Sequence, residues 1–220
     1  MRSPDPKKIT VVIVEDHQMF REQIAHLISK TDDMMMLGGA DNIVDALRLI
    51  KTARPSIAIV DITLKGASGL ELLKELRKCG LDTPVLILSM HDESLYAERA
   101  MRAGARGYVT KHEASEEMLV AIRRVIAGEL YLNRRFMSRI AATIVTGNNA
   151  PTRPIDRLAD RELEVFELIG RGLTTREISE RLGLGITTVD TYRTRIKEKL
   201  NLESSSRLQV EASRWLQERE

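Results

Sequence analysis

The chain reads as two folds in series. An α/β unit with a doubly wound, five-stranded parallel sheet precedes an all-α four-helix unit that contains a helix-turn-helix. Three observations predict this. Strand-like and helix-like stretches alternate through the first 128 residues, which argues for βα units stacked into one open sheet. The alternation then breaks at a connector that closes on TGNNAPTRP, rich in Gly, Asn and Pro. Past Leu158 every periodic segment is helical. The expected boundaries are 8–128 for the first unit, 129–155 for a linker holding a short helix (YLNRRFMSRIAATIV), and 156–220 for the second unit.

The elements follow in order. ITVVIV, SIAIV and PVLIL are β-branched, continuously apolar runs of the kind that a strand buried on both faces requires. MMMLGGA and RGYVT are weaker strand candidates, and the Met34–Met36 run is expected to pack in the core. Helical patterns lie between them over 19–30, 43–52, 70–78, 95–103 and 116–126; the last places Met118, Leu119, Ile122, Val125 and Ile126 at helical spacing. In the second unit, Leu163, Phe166 and Ile169 line one face of a first helix. TTRE has capping-box spacing and opens a second helix carrying Ile178 and Leu182. GLG makes a turn, GITTVDTYRTRIKEKL follows as a third helix, and SSSRLQVEASRWL closes as a fourth.

Length and composition bound the function. With 220 residues, each unit can bury its own core, and 43% hydrophobic with 30% charged residues is ordinary for a globular protein. The single cysteine, Cys79, excludes an intramolecular disulfide, suits a reducing compartment, and is expected half-buried near a helix end. No apolar run approaches the ~20 residues of a membrane span, and no signal-peptide pattern opens the chain. A cytoplasmic protein without membrane attachment is the expectation. Net charge is +2, and its distribution matters more. Residues 1–128 balance 18 basic against 18 acidic residues, 129–155 carry 4 against 1, and 156–220 carry 12 against 13. A nucleic-acid interface in the second unit must therefore rest on local clustering.

Doubly wound sheets bind ligands beyond the carboxyl ends of their strands. Here the first strand runs into Glu15 and Asp16, the third ends on Asp61, the fourth on Ser89, and the fifth passes Tyr108 to reach Lys111. Three converging acids repel, and a hard cation such as Mg²⁺ is their natural neutraliser. Lys111 beside them suits stabilisation of a transferring phosphoryl group. Asp61 would be the nucleophile, forming an acyl phosphate to which Ser89 could donate a hydrogen bond. Tyr108 reads either as a half-buried strand aromatic or as part of a switch. His17, His26, His91 and His112 show no metal-ligand spacing with cysteine or with one another. His91 would either orient a hydrolytic water or simply face solvent.

The third helix of the second unit presents Val189, Tyr192, Ile196 and Leu200 inward. Its outward stripe holds Thr187, Asp190, Thr191, Thr194, Arg195 and Glu198, with Arg193, Lys197 and Lys199 on the flanks. Such a mixed face with basic edges favours a DNA-reading helix-turn-helix over an ordinary αα-hairpin. Asp190 would either accept from cytosine N4 in the major groove or pair with Arg193 or Thr194 within the helix. Thr187, Thr188, Arg193, Lys197 and Lys199 are the expected phosphate contacts.

The acidic pair, VDIT…SG, LSM and GARGYVTK lie in the order of a response-regulator receiver domain, and residues 8–128 resemble that family. LADRELEVFELIGRGLTTREISERLGLGITTVDTYRTRIKEKL resembles the DNA-binding domain of NarL/FixJ (LuxR-type) regulators over 157–214. The resemblance implies a flavodoxin-like receiver with strand order 2-1-3-4-5, and phosphorylation of Asp61 by a sensor histidine kinase. It implies Mg²⁺ held by Asp16, Asp61 and the Thr63 backbone carbonyl, with Glu15 acting through water. Ser89 and Tyr108 would move together on phosphorylation while Lys111 pairs with phosphoryl oxygens. The third helix of the second unit would enter the major groove of double-stranded DNA, and the fourth would support a homodimer on phosphorylation. Such a protein is not an enzyme beyond its own phosphotransfer and slow dephosphorylation.

Several positions depart from the family pattern. Met90 stands where Ala or Gly is usual and is expected to slow phosphoryl turnover. Lys65 replaces a common Pro. Gly185 replaces a capping Ser, leaving Thr187 as an alternative cap, and Asp190 replaces a frequent Lys and Tyr192 a frequent His. Two competing classes remain open. An aspartyl-phosphate hydrolase would need a second acid/base Asp shortly after the nucleophile, where Thr63 stands. A phosphorylation-independent, dimerising DNA-binding protein would keep the switch only as a vestige.

Overall fold

The computed structural model describes residues 8–90, 93–113, 116–132, 137 and 154–218. His91 and most of the expected linker helix lie outside them. The chain divides into two compact units: one comprises 1–64 and 68–141, the other 65–67 and 142–220.

The first unit is a parallel sheet of five strands: β1 (Ile9–Val14), β2 (Met34–Ala40), β3 (Ile57–Asp61), β4 (Val85–Ser89) and β5 (Gly107–Thr110). Their spatial order is β2-β1-β3-β4-β5, as the resemblance implied. The helices are α1 (Gln18–Ser29), α2 (Ile43–Ala53), α3 (Gly69–Lys78), α4 (Glu93–Ala103) and α5 (Glu116–Ile126). β3 and β4 are buried at every position because helices cover both faces of the sheet centre, which is why their sequences show no polar alternation. One core cluster joins Val11, Ile13, Ile57, Ile59, Leu86 and Leu88 of the strands to Ile24, Ile28, Met118, Ile122 and Val125 of α1 and α5.

Two expectations are corrected here. Met34 is buried, but Met35 is 46% exposed because successive residues of a strand face opposite ways. Cys79 is exposed rather than half-buried, since it caps α3 after the last core-facing turn.

The second unit is helical: α6 (Asp160–Gly170), α7 (Thr175–Leu182), α8 (Ile186–Leu200) and α9 (Ser205–Gln217). Thr174 accepts from Glu177 N, and the Glu177 carboxylate accepts from Thr174 N at 2.7 Å, completing the expected capping box of α7. Gly183 ends α7 in the left-handed region, φ 62°, where a side chain would be strained. Leu163, Phe166, Ile178, Leu182, Val189, Ile196, Leu208 and Ala212 close a buried core, with Trp215 edge-on to Phe166 at 5.4 Å between centroids. Gly170 allows α9 to approach, because a Cβ there would lie 2.6 Å from the Ala212 carbonyl oxygen.

Candidate functional site

β1, β3 and β5 deliver the first site, since parallel strands end on the same edge of a sheet. Glu15 and Asp16 follow β1, Asp61 closes β3, and Lys111 follows β5. Glu15 and Asp61 are buried, and the Lys111 side chain is only 5% exposed. Lys111 Nζ donates to Asp61 Oδ2 at 2.8 Å and pairs with Glu15 Oε2 at 2.6 Å. The Phe20 ring lies 4.7 Å from the same ammonium, a cation–π contact that replaces part of its lost hydration.

Burial is the dominant influence on both partners. It pushes the Asp61 carboxyl up to about 6; Lys111 opposes that shift, Glu15 adds to it, and the Thr63 backbone N–H lowers it. Burial works against the Lys111 charge as well. Asp61 and Glu15 outweigh it and hold the ammonium above the ordinary lysine value. The lysine therefore stays charged, while the carboxylates compete for it.

The donor set fits a divalent cation. Carboxylate oxygens of Glu15, Asp16 and Asp61, together with a His17 ring nitrogen, all lie within 4.8 Å of one another. Glu15 Oε2 and Asp16 Oδ1 are buried, with Lys111 Nζ 2.6 Å from the first and His17 Nδ1 2.9 Å from the second. Glu15 Oε2 thus already has an ammonium beside it, and a divalent cation would share these carboxylates with Lys111. Ser89 and Tyr108 are fully buried near the same sheet edge, Ser89 at the end of β4. Met90, immediately after Ser89, is 56% exposed.

Sequence reasoning missed three contributors. His17 has no metal-ligand spacing in sequence, yet its Nδ1 lies 2.9 Å from Asp16 Oδ1 and 3.0 Å from Glu15 Oε1. Its position directly after two acids, at the start of α1, was the available signal. Arg21, one helical turn on, donates to the Glu15 backbone carbonyl at 2.5 Å and fixes the end of β1. Gly69 begins α3 where a Cβ would lie 1.9 Å from the Asp61 carbonyl oxygen, so only glycine lets the helix seat against the strand end.

The second site is the outer face of α8. Thr187, Thr188, Asp190, Thr191, Thr194 and Arg195 are exposed, and Arg193 and Lys197 are half-buried. Among the described residues, the side chains of Asp190, Arg193, Arg195 and Lys197 form no hydrogen bond or ion pair. Asp190 is thus not engaged within its helix. Thr191 Oγ1 instead bonds the Thr187 carbonyl at 2.9 Å. Two expectations change. Thr187 is not the cap: the carbonyl of Gly185 already accepts from Thr188 N and Val189 N, so the helix starts before Thr187, without a side-chain cap. Lys199 is committed to Glu162, at 2.6 Å, and Glu162 in turn accepts from Ala159 N at the start of α6. Its charge fastens α8 to α6.

Comparisons with known proteins match both geometries. Residues 11–123 match the response regulator receiver domain family, and residues 156–212 match the luxR family of bacterial regulatory proteins. The response regulator GacA of Pseudomonas aeruginosa is 32% identical over 206 residues, 94% of this chain and 96% of its own. A LuxR-family two-component response regulator from Aurantimonas sp. is 31% identical, with a TM-score of 0.58 over 63% of this chain and 99% of its own. RcsB from Salmonella enterica, solved bound to a promoter in the presence of a phosphomimetic, shares the fold at 18% identity, with a TM-score of 0.59 over 94% of this chain and 99% of its own. No described helix is long and apolar enough to cross a membrane. The chain therefore belongs to the LuxR-type response regulators, DNA-binding transcription regulators of two-component systems that phosphorylation of a receiver domain controls.

Proposed function

We propose that Asp61 is the phosphoacceptor, that a sensor histidine kinase is the donor, and that phosphorylation promotes binding of a homodimer to double-stranded DNA through α8. The observation that carries this reading is the Lys111–Asp61–Glu15 set: a carboxylate at a strand end, buried, and touched by an ammonium that stays charged. A group so placed is a nucleophile with a cation already beside it.

An Asp61 carboxylate oxygen attacks the phosphorus of a phosphohistidine. The new O–P bond forms as the N–P bond breaks, and the imidazole leaves with its electron pair. Lys111 then turns from the carboxylate to the phosphoryl oxygens, to which the Ser89 hydroxyl donates. Asp16, Asp61 and the Thr63 carbonyl would hold Mg²⁺, with Glu15 in support; when bound, it supplies positive charge against the transferring oxygens. Ser89 following the phosphoryl group opens space in the buried strand end, and Tyr108 moves with it. The exposed Met90 flanks the new acyl phosphate and slows its hydrolysis.

On α8, Arg193, Arg195 and Lys197 with Thr187 and Thr188 hold phosphates, while Asp190, Thr191 and Thr194 face base edges. The lack of partners for the Asp190, Arg193, Arg195 and Lys197 side chains among the described residues supports that role. We propose a cytoplasmic location, where a DNA-binding regulator meets its DNA.

Phosphotransfer from a phosphorylated histidine kinase tests the reading, comparing wild type with Asp61→Asn in Mg²⁺. Wild type should take up the phosphoryl group and gain DNA affinity, and Asp61→Asn should do neither. If Asp61→Asn binds DNA as phosphorylated wild type does, the pocket is a vestige and DNA binding is independent of it.

A further inference from the structure

We infer that Ile186 is a specificity-determining residue of α8, its side chain packing on the C5-methyl group of a thymine in the major groove. The inference rests on the reading that α8 docks on double-stranded DNA, and it adds an apolar contact to the polar ones of that helix.

The observation is an exposed aliphatic side chain on an otherwise polar helix face. Ile186 opens α8 and is 52% exposed, whereas Val189 and Ile196 of the same helix are fully buried. In the second unit, Ile186 and Val210 are the exposed large apolar residues among those described, and Val210 stands on α9. Local preference does not account for Ile186. A β-branched residue is a poor helix former, and the first turn of a helix favours polar or acidic side chains. The half of this side chain left in water adds nothing to the fold.

Its position sets what it meets. Ile186, Asp190, Arg193 and Lys197 follow at intervals of four, three and four residues, so they form one stripe along α8. Asp190, Arg193 and Lys197 have no side-chain partner among the described residues. A recognition helix brings its N-terminal residues to the base edges, which puts Ile186 at the leading end of the stripe. Gly185, the N-cap, has no side chain to stand in between. Within the major groove, the thymine methyl is the apolar group that a base edge offers, and cytosine lacks it. Isoleucine carries neither donor nor acceptor, so that methyl is what it can read. Asp190 lies one turn on, about 6 Å along the axis, so the thymine should stand within about two base pairs of the cytosine that Asp190 faces.

The competing explanation is that Ile186, three residues before the buried Val189, is the rim of the core. Its removal would then lower stability and weaken binding to every sequence alike, whatever methyl groups the DNA carries.

Replacing thymine by deoxyuridine deletes the methyl alone and separates the two. The DNA is the site that the wild-type full chain, held in Mg²⁺ and the phosphomimetic BeF3−, selects from random duplexes. Each of its thymines is replaced in turn, and affinity is measured for wild type, Ile186→Val and Ile186→Ser. At one thymine of each half-site, wild type should lose about fourfold on loss of the methyl. Ile186→Val should keep most of that sensitivity. Ile186→Ser should lose it, yet bind the uracil site within about twofold of wild type, with an unchanged unfolding midpoint. Asp190→Ala should retain the methyl effect, which belongs to a different base pair. A wild-type chain indifferent to every thymine methyl overturns the inference and leaves DNA reading by α8 intact. So does a methyl effect that survives in Ile186→Ser, or a Ser variant that is less stable and weaker on all sequences. Failure of the wild-type chain to select any sequence overturns the reading of α8 and this inference with it.

Discussion

Lys111, Asp61 and Glu15 meet in one buried pocket, whereas Asp190, Arg193 and Arg195 stand on α8 without a partner among the described residues. The contrast separates two ways of using charge. Buried charges persist only as a mutually neutralised set, so removing one member disturbs the others and the fold. Free surface charges leave their neutralisation to something outside the chain. Changing them should alter binding and leave stability alone.

The largest expected effect lies on the exposed side. Three cations per recognition helix without a partner among the described residues, doubled in the proposed homodimer, should release condensed counterions on binding DNA. With about six phosphates neutralised, affinity should fall roughly a thousandfold between about 50 and 200 mM salt. Arg195→Ala should flatten the logarithmic salt slope by about one per subunit and leave the melting temperature unchanged. Fluorescence anisotropy across a salt series measures the slope. A flat slope would remove α8 as the phosphate-binding element.

The buried side should respond in stability. Lys111→Met leaves Asp61 and Glu15 without their shared cation in the pocket, at a cost of about 3–5 kcal/mol without divalent metal. Added Mg²⁺ should restore most of it by replacing the lost charge. Urea unfolding in EDTA and in Mg²⁺ checks both halves. Equal stability of variant and wild type in EDTA would mean that the ion pairs are not a coupled set.

The same contrast explains what the sequence made legible. ITVVIV, SIAIV and PVLIL announced themselves because burial on both faces demands an unbroken apolar run, and the carboxylates were findable because strand ends in such sheets converge. MMMLGGA was weak because its glycines carry no strand propensity. Packing requires one of them: a Cβ at Gly39 would lie 2.9 Å from the Arg21 side chain and 3.2 Å from Ile13. Gly69 could not be read, since its need arises from the Asp61 carbonyl brought against it. Lys199 was equally opaque, because its partner Glu162 is 37 residues away. His17 was missed because spacing to cysteines and other histidines was the wrong measure; its neighbours are carboxylates.

A smaller effect ties the pocket to pH. Burial pushes the Asp61 carboxyl up to about 6, above the ordinary aspartate value of 3.8. A raised carboxyl is better protonated in the fold, so the metal-free protein loses stability from this group as pH rises from 3.8 to about 6. A cation needs the carboxylate and competes with that proton. Mg²⁺ affinity should therefore be full at about pH 7.5 and roughly tenfold lower near pH 5, with the Mg²⁺-induced rise in melting temperature shrinking in step. Asp61→Asn should remove the dependence. Affinity constant from pH 5 to 7.5 would place the titrating carboxyl elsewhere.

Asp190 gives the smallest and most local expectation. It is exposed, free of partners among the described residues, and five residues into α8, in the stretch that a recognition helix turns toward base edges. One acceptor facing one cytosine amino group is worth the lower end of base discrimination, about 1 kcal/mol, or roughly fivefold at a single position of each half-site. Binding-site selection with wild type should recover cytosine there. Asp190→Ala should relax that position alone, and Asp190→Asn should alter it. A carboxylate that only repels phosphates behaves differently, because its removal strengthens binding to every sequence by the same factor and steepens no preference. Comparing the selected sequences with the affinity for random DNA separates the two. Neither outcome should move the unfolding midpoint; a shift there would place Asp190 among the structural charges, on the side of the comparison where Lys199 already stands.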